Sequence, residues 1–233
     1  KPEGINRVLF DVLPMIALAG ALTAALYLPI AGLLPSPTYT FPGDLIVTLY
    51  LLSLLTICTS LAGFNSNDRF SVIGALRTLT QLFSYEAPFM FALLGPAVTA
   101  KSWEISQIAS NPSYLFLTQP IGFIVALTGL MGKLELVPFD APESETEIVA
   151  GALTEYSGRG LALFHLSRAV VLVAGLTLIA SFYLGGVHNP LDYLFKTLLL
   201  LTAVSSVQVL FTRLRITQTV GLWWSYGILL MIV

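Results

Sequence analysis

The sequence predicts an all-α bundle of about seven transmembrane helices, and three observations carry that prediction. The 233-residue chain is 56% hydrophobic and only 10% charged, whereas soluble domains carry roughly 25% charged residues. Six long runs contain no Asp, Glu, Lys or Arg at all: 12–43, 45–67, 105–132, 169–191, 197–212 and 216–233. A spanning helix needs about 20 mainly apolar residues, and most of these runs reach that length. The mean hydropathy of +0.84 agrees. The whole chain, 1–233, reads as one transmembrane domain.

Taken in order, the helices are expected at 8–34, 44–64, 71–100, 114–133, 158–184, 193–211 and 217–233. The breaks between them are chemically sensible. LPSPTYTFPG (34–43) holds three prolines and FNSNDRF (64–70) is polar, while KSWEISQIASNPS (101–113) has room for a short interfacial helix. GGVHNP (185–190) and TRLRITQ (212–218) supply the last two breaks. Ala17, Ala21 and Ala25 form a small-residue stripe that lets helices approach closely. Trp223, Trp224 and Tyr226 suit an interfacial belt or packing against neighbouring helices. The opening KPEGINR is polar and leads to no small-residue cleavage site, so it does not read as a secretory signal.

Several function classes fall away early. The single cysteine, Cys58, excludes a disulfide framework and any cysteine-held zinc or iron–sulfur site within the chain. No basic patch suggests nucleic acid. No internal repeat is strong enough to suggest a transporter built of inverted halves.

Orientation follows from the positive-inside rule. With a cytoplasmic N-terminus, Lys1, Arg7, Arg69, Arg77, Lys133, Arg159, Arg213 and Arg215 fall on one side and Lys101 and Lys196 on the other. The connector 134–157, between the fourth and fifth helices, is then cytoplasmic in a multi-pass protein of the cell or inner membrane.

Three ionisable residues stand inside expected spans: Arg77 and Glu86 on the third helix and Arg168 on the fifth. Each costs about 2.5–3.5 kcal/mol at a helix centre on insertion scales, so each needs a partner, water or a route to the surface. Arg77 and Glu86 are nine residues apart, about 13.5 Å along the axis at about 1.5 Å per residue, too far to pair. Arg77 can snorkel to the surface. Arg168 lies ten residues into its helix with His165 one turn away, and it reads either as a structural partner of a carboxylate or as part of a charge pathway. Glu86 cannot snorkel far, and Pro88 removes the donor that the Ser84 carbonyl would otherwise meet. Asp11, four residues after Arg7, suits an ordinary helix ion pair.

The densest signal is the acidic connector. Glu135, Asp140, Glu143, Glu145, Glu147 and Glu155 hold six of the thirteen acids between Lys133 and Arg159, with no basic residue among them. Pro142 suits a helix first turn, where acids favour the positive end of the dipole. That explains two or three of the six. On one helix Glu143 and Glu147 lie about 40° apart, and Glu145 points elsewhere. Carboxylates crowded in a poorly hydrated setting raise one another's pKa and titrate together. A divalent-metal site is the competing reading, and the D-x-D-x-D-G spacing of calcium loops is absent.

Two blocks carry a resemblance. Pro138-Phe139-Asp140-Ala-Pro142-Glu143-Ser-Glu145-Thr-Glu147-Ile-Val-Ala-Gly151 with Glu155-Tyr156-Ser157-Gly158 forms one. Ser66-Asn67-Asp68-Arg69-Phe70, Gly74-Ala75-Leu76-Arg77 and Ser84-Tyr85-Glu86 form the other. In order and spacing they resemble the membrane-embedded H-subunit family of respiratory complex I and its relatives, the energy-converting membrane-bound hydrogenases and sulfur reductases. The resemblance implies a connector beneath a peripheral, hydrogenase-like electron-transfer arm and beside antiporter-like membrane subunits. It implies a proton pathway through Glu86, Asp140, Glu143, Glu145, Glu147 and Glu155, with Arg77 and Arg159 as basic partners. Arg168 and His165 join them as charge partners, and Asp11, Glu135, Asp68 and Arg69 form a second tier.

No cofactor is expected in the chain itself. The resemblance places iron–sulfur clusters, alone or with a nickel–iron or flavin centre, in partner subunits. The family's first helix has no counterpart, since Lys1 falls just before the second, so a fragment or a separately supplied helix is expected. Leu136 and Val137 stand where quinone-reducing members carry a basic residue, whereas Ser84-Tyr85-Glu86 looks like the quinone-using branch. The acceptor stays open between a quinone and protons or a sulfur compound. Two other readings remain: a passive anchor for the peripheral arm, and a stand-alone secondary transporter.

Overall fold

The computed structural model describes residues 5–30, 40–110, 114–187 and 189–227. Among them no strand occurs. Helix α1 covers Arg7–Leu26, α2 Asp44–Asn65, α3 Arg69–Ala100, α4 Ile105–Ala109, α5 Leu115–Thr118 and α6 Pro120–Lys133. The connector holds 3₁₀ turns at Ala141–Glu143 and Gly151–Leu153 around a single α-turn, α7, at Glu145–Ile148. Helices α8 (Gly158–Tyr183), α9 (Pro190–Leu210) and α10 (Ile216–Leu222) follow, and α10 runs into a π-turn at Trp223–Gly227.

Four helices, α1, α2, α8 and α9, are long and apolar enough to cross a membrane. Helix α3 has the length, at 32 residues, and carries the charges discussed below. Helix α6 has 14 residues, about 21 Å at 1.5 Å per residue. The fourth helix, expected to be continuous over 114–133, breaks at Gln119, where Pro120 removes a donor and starts α6 afresh.

Local chemistry sets the other boundaries. Asn6 caps α1 by accepting from the backbone of Val8 at 3.1 Å and Leu9 at 3.4 Å. Asp68 caps α3 through Phe70 N at 3.0 Å and Ser71 N at 3.1 Å. That is its role here, and Arg69 beside it is exposed. The expected interfacial helix is α4, tied to the start of α2 by Ile105 N donating to Asp44 Oδ1 at 2.8 Å.

Helix α1 packs on α2 and α8, and α3 packs on α2, α6 and the connector, which makes α3 the hub. The small-residue stripe of α1 runs through Ala17, Ala21 and Ala24, all buried, with Ala25 only half-buried beside it. Trp223 is buried against Phe139, ring centres 5.5 Å apart, while Trp224 is exposed. The Tyr226 side chain lies outside the described residues.

Candidate functional site

The site assembles where the connector folds back onto α3. At Gly74 an added Cβ would lie 2.4 Å from the Ala152 backbone nitrogen, so the absence of a side chain lets the second 3₁₀ turn seat directly on the helix. Gly151 has φ +56°, and a Cβ there would meet the Pro142 carbonyl at 2.1 Å. Only glycine combines that conformation with that approach. The connector is therefore not one helix. Glu143 and Glu147 do not share a face; they sit on different short turns and reach different arginines.

The buried face of α3 presents Thr78, Gln81 and Tyr85, spaced three and four residues apart as one helix face requires. Gln81 Nε2 donates to the carbonyls of Gly132 at 2.9 Å and Phe139 at 2.8 Å, clamping both ends of the turn that follows α6. Tyr85 and Thr56 hydroxyls lie 3.2 Å apart.

Along this face the charges form three groups. At the outer end Arg77 Nη1 donates to Glu147 Oε2 at 2.7 Å and to the Ala141 carbonyl at 3.2 Å. Arg213 Nη2 donates to the other Glu147 oxygen at 2.7 Å and its Nη1 to Ser144 Oγ. Arg77 is thus held by partners. The hydrogen bond from Arg77, followed by the charges of both arginines, holds the exposed Glu147 carboxyl below the usual range.

The middle group is Glu135–Arg168–Glu143. Arg168 Nη2 lies 2.7 Å from Glu135 Oε2, and its Nη1 lies 2.5 Å from Glu143 Oε1. Thr78 Oγ1 donates to Glu135 Oε1 at 2.8 Å. Two carboxylates share one guanidinium, so one negative charge is left over in a partly buried place, with Glu135 the buried member and Glu143 partly exposed. Burial first, then the Glu143 charge, push the Glu135 carboxyl up to about 7, against the pull of Arg168 and Thr78. Burial likewise raises Asp140, with Arg213 opposing, and its Oδ1 has no hydrogen-bond partner among the described residues.

Backbone geometry explains how Glu135 arrives there. Leu136 N donates to the Met131 carbonyl at 3.0 Å and Glu135 N to the Gly132 carbonyl at 3.3 Å, the paired bonds of a Schellman cap on α6. The left-handed position of such a cap favours glycine, yet Glu135 occupies it at φ 55°, a conformation that costs a side chain about 1–2 kcal/mol. The carboxylate placed by that turn touches Thr78 and Arg168.

The inner group is Glu86–Lys133–Ser53. Lys133 Nζ lies 3.0 Å from Glu86 Oε2 and 3.0 Å from Ser53 Oγ, and Ser53 Oγ in turn donates to Glu86 Oε1. Lys133 is only 2% exposed and its ammonium stands 5.4 Å from the Tyr85 ring centre and 5.3 Å from that of Phe89. Helix α3 runs unbroken past Pro88 beside this pair.

Some expected members stand elsewhere. Glu155, Arg159 and Asp11 line a separate cavity of about 140 Å³ between α1 and α8. His165 is exposed on α8 and no partner of Arg168, whose two carboxylates come from the connector. The Glu145 side chain lies outside the described residues. Among the described residues no three His, Cys, Asp or Glu side chains converge as a metal site.

Lys133, counted in the sequence among the cations on the N-terminal side, is buried against Glu86, and Glu135, placed there in the second tier, pairs with Arg168. Thr78, Gln81 and Ser53 escape sequence reasoning altogether. A signal exists in the polar Thr78–Gln81–Tyr85 spacing of the third helix and in the demand of a buried Glu86 for a cation.

The chain has relatives among known proteins. A family described as NADH dehydrogenase matches residues 1–233. The H subunit of NADH-quinone oxidoreductase from Carboxydothermus hydrogenoformans is 28% identical over 97% of this chain and 67% of its own length. The protein of the same name from Dehalococcoides mccartyi is 35% identical over 76% of this chain and 53% of its own length. The H subunit of F(420)H(2) dehydrogenase from Methanosarcina acetivorans is 30% identical over 96% of this chain and 71% of its own length. The chain thus spans from about half to seven-tenths of these relatives.

Proposed function

This chain belongs to the H-subunit family of complex I, and from that premise we propose that it is the multi-pass membrane connector of a redox-driven ion pump. Its three charge groups carry protons and electrostatic signals between a peripheral electron-transfer arm and antiporter-like membrane subunits. The supporting observation is the sharing of Arg168 by Glu135 and Glu143. A partly buried group with one carboxylate in excess and a buried Glu135 holds a proton near neutral pH and releases it when a nearby charge changes.

In this reading the N-terminus and the connector face the cytoplasm. Glu147 with Arg77 and Arg213 forms the hydrated mouth, the Arg168 group stores the proton, and Glu86 with Lys133 is the inward station. Thr78 and the Tyr85 hydroxyl line the interval. Gln81 Oε1, buried without a hydrogen-bond partner among the described residues, offers an acceptor for water there. Iron–sulfur clusters, alone or with a nickel–iron or flavin centre, reside in partner subunits, and the acceptor is a quinone, protons or a sulfur compound.

The test replaces Glu86 or Glu143 by glutamine in the assembled complex reconstituted in liposomes. Electron turnover and assembly are expected to persist while ions moved per electron pair fall toward zero. Wild-type coupling in both variants would end the proposal. Loss of assembly rescued by a reversed charge on a peripheral subunit would favour the passive anchor, and transport by the isolated chain would favour a stand-alone transporter.

A further inference from the structure

The outer end of the site holds more positive charge than Glu147 uses. Arg77, Arg213 and Arg215 line one cavity of about 270 Å³ together with Glu147 and Thr217. Three arginines and one carboxylate line it, with Asp140 near enough to Arg213 to feel its charge, and Arg215 pairs with no carboxylate among the described residues.

The neighbouring chain is apolar. Helix α9 is only 11% buried along its most hydropathic window. Its last turns are more exposed still: Val209 is 85% and Leu210 78% exposed, and Phe211 follows them. A groove along this helix is lined by Thr202, Ser205, Ser206, Val209 and Leu210. From Leu210 to Arg213 the chain reaches at most about 10 Å. The arginines therefore stand at the depth where a membrane-facing helix ends, which is the depth of lipid headgroups.

The geometry points to a binding site for an anionic phospholipid, with its phosphodiester held by Arg213, Arg215 and Arg77 and an acyl chain laid along α9. Guanidinium forks match phosphate oxygens with paired donors, and Thr217 adds a hydroxyl. A basic pocket at the end of a membrane helix recognises the headgroup charge. An acidic protein segment would meet the same arginines but would leave the apolar groove of α9 uncovered.

The test uses the purified detergent-solubilised complex that contains this chain, titrated with spin-labelled phosphatidylglycerol or phosphatidylcholine. Phosphatidylglycerol is expected to be immobilised in preference, and millimolar inorganic phosphate should not displace it. Arg215→Gln should weaken its retention about fivefold, the effect of one cation near a membrane surface. Arg215→Lys, which keeps the charge but not the paired donors, should fall between wild type and Arg215→Gln, and Arg7→Gln, which removes the same charge outside the cavity, should change nothing. Equal retention of phosphatidylcholine, or wild-type retention in Arg215→Gln, overturns the site. Full displacement by inorganic phosphate would make it a free-anion site. Loss of a peripheral subunit without loss of lipid would make it a protein contact.

Discussion

Replacing Lys133 by methionine removes the only cation within ion-pairing distance of Glu86 among the described residues while keeping most of the apolar volume. The ammonium is fully buried and sits 3.0 Å from a carboxylate whose side chain is 17% exposed. Breaking a buried pair from one side costs about 3–5 kcal/mol, because the other charge stays behind. The residual exposure of Glu86 places the expected loss near the low end, about 3 kcal/mol. For a chain of this size that corresponds to a fall of about 6–12 °C in melting midpoint. Lys133→Met combined with Glu86→Gln removes both charges and should recover most of the loss, the non-additivity expected of contacting residues. Coupling should not return with stability, since the inward station is gone. Thermal melting of the purified complex, with ions moved per electron pair in liposomes, reads both effects. If Lys133→Met melts within about 2 °C of wild type, or the double variant is no better than the single, the inner pair is not a buried charge pair and the reasoning fails.

The pH dependence of stability has a definite sign at Glu135. Its carboxyl rises from 4.5 to about 7 in the folded chain, so the folded state binds more protons than the unfolded one between those values. The stability this group contributes is fully present at pH 4.5 and below and is lost as pH rises to about 7, by up to about 3 kcal/mol. Glu135→Gln should flatten the melting curve in that window, and an unchanged slope would contradict the assignment. Glu147, held low, acts in the opposite sense and only at more acidic pH. Gly74→Ala pushes a methyl group into the backbone of Gly151 and Ala152 and should cost about 1–3 kcal/mol. Limited proteolysis should then cut the connector faster, and an unchanged cutting rate would show that the connector is not seated through Gly74.

The helical framework is legible in the sequence because its punctuation is chemical. Asp68 caps one helix, proline-rich and polar stretches separate others, and the apolar runs set the lengths, while the restart at Pro120 inside the expected fourth helix goes unread. The connector reads as a loop leading into a helix from about Pro142, and the structure divides that helix into separate short turns, because the path depends on three backbone positions with positive φ, Glu135, Val149 and Gly151. Two of those residues do not advertise that conformation. The same turn explains why the pairing of Glu135 with Arg168 is not legible in the sequence, since its carboxylate reaches Arg168 only after the chain has turned left-handed at the end of α6. Arg77, Arg168, Glu143 and Glu147 stand out because acids or arginines in or beside apolar helices demand partners. Lys133 escapes notice for the converse reason: a count of cations near helix ends assigns each to the surface, and one at the last residue of a short helix can instead turn inward. His165 shows the limit of spacing arguments, since one turn from Arg168 still leaves it on the outer face.

The division of charge among the three groups bears on which of them can sense a redox event. Fully ionised, the inner pair sums to zero, the Arg168 group to −1 and the Arg77–Glu147–Arg213 group to +1. A unit charge appearing about 15 Å away acts on a titrating group with about 1 kcal/mol at an effective dielectric constant near 20, close to one pKa unit. Such a shift barely changes the occupancy of Glu147, whose carboxyl is held well away from neutral pH. It changes the ratio of protonated to ionised forms several-fold in a group titrating at about 7. The Arg168 group is therefore the responsive element of the proposed pump. In the proposed pathway Glu147 and its two arginines set the field at the mouth, and Glu86 beside Lys133 is the next station inward.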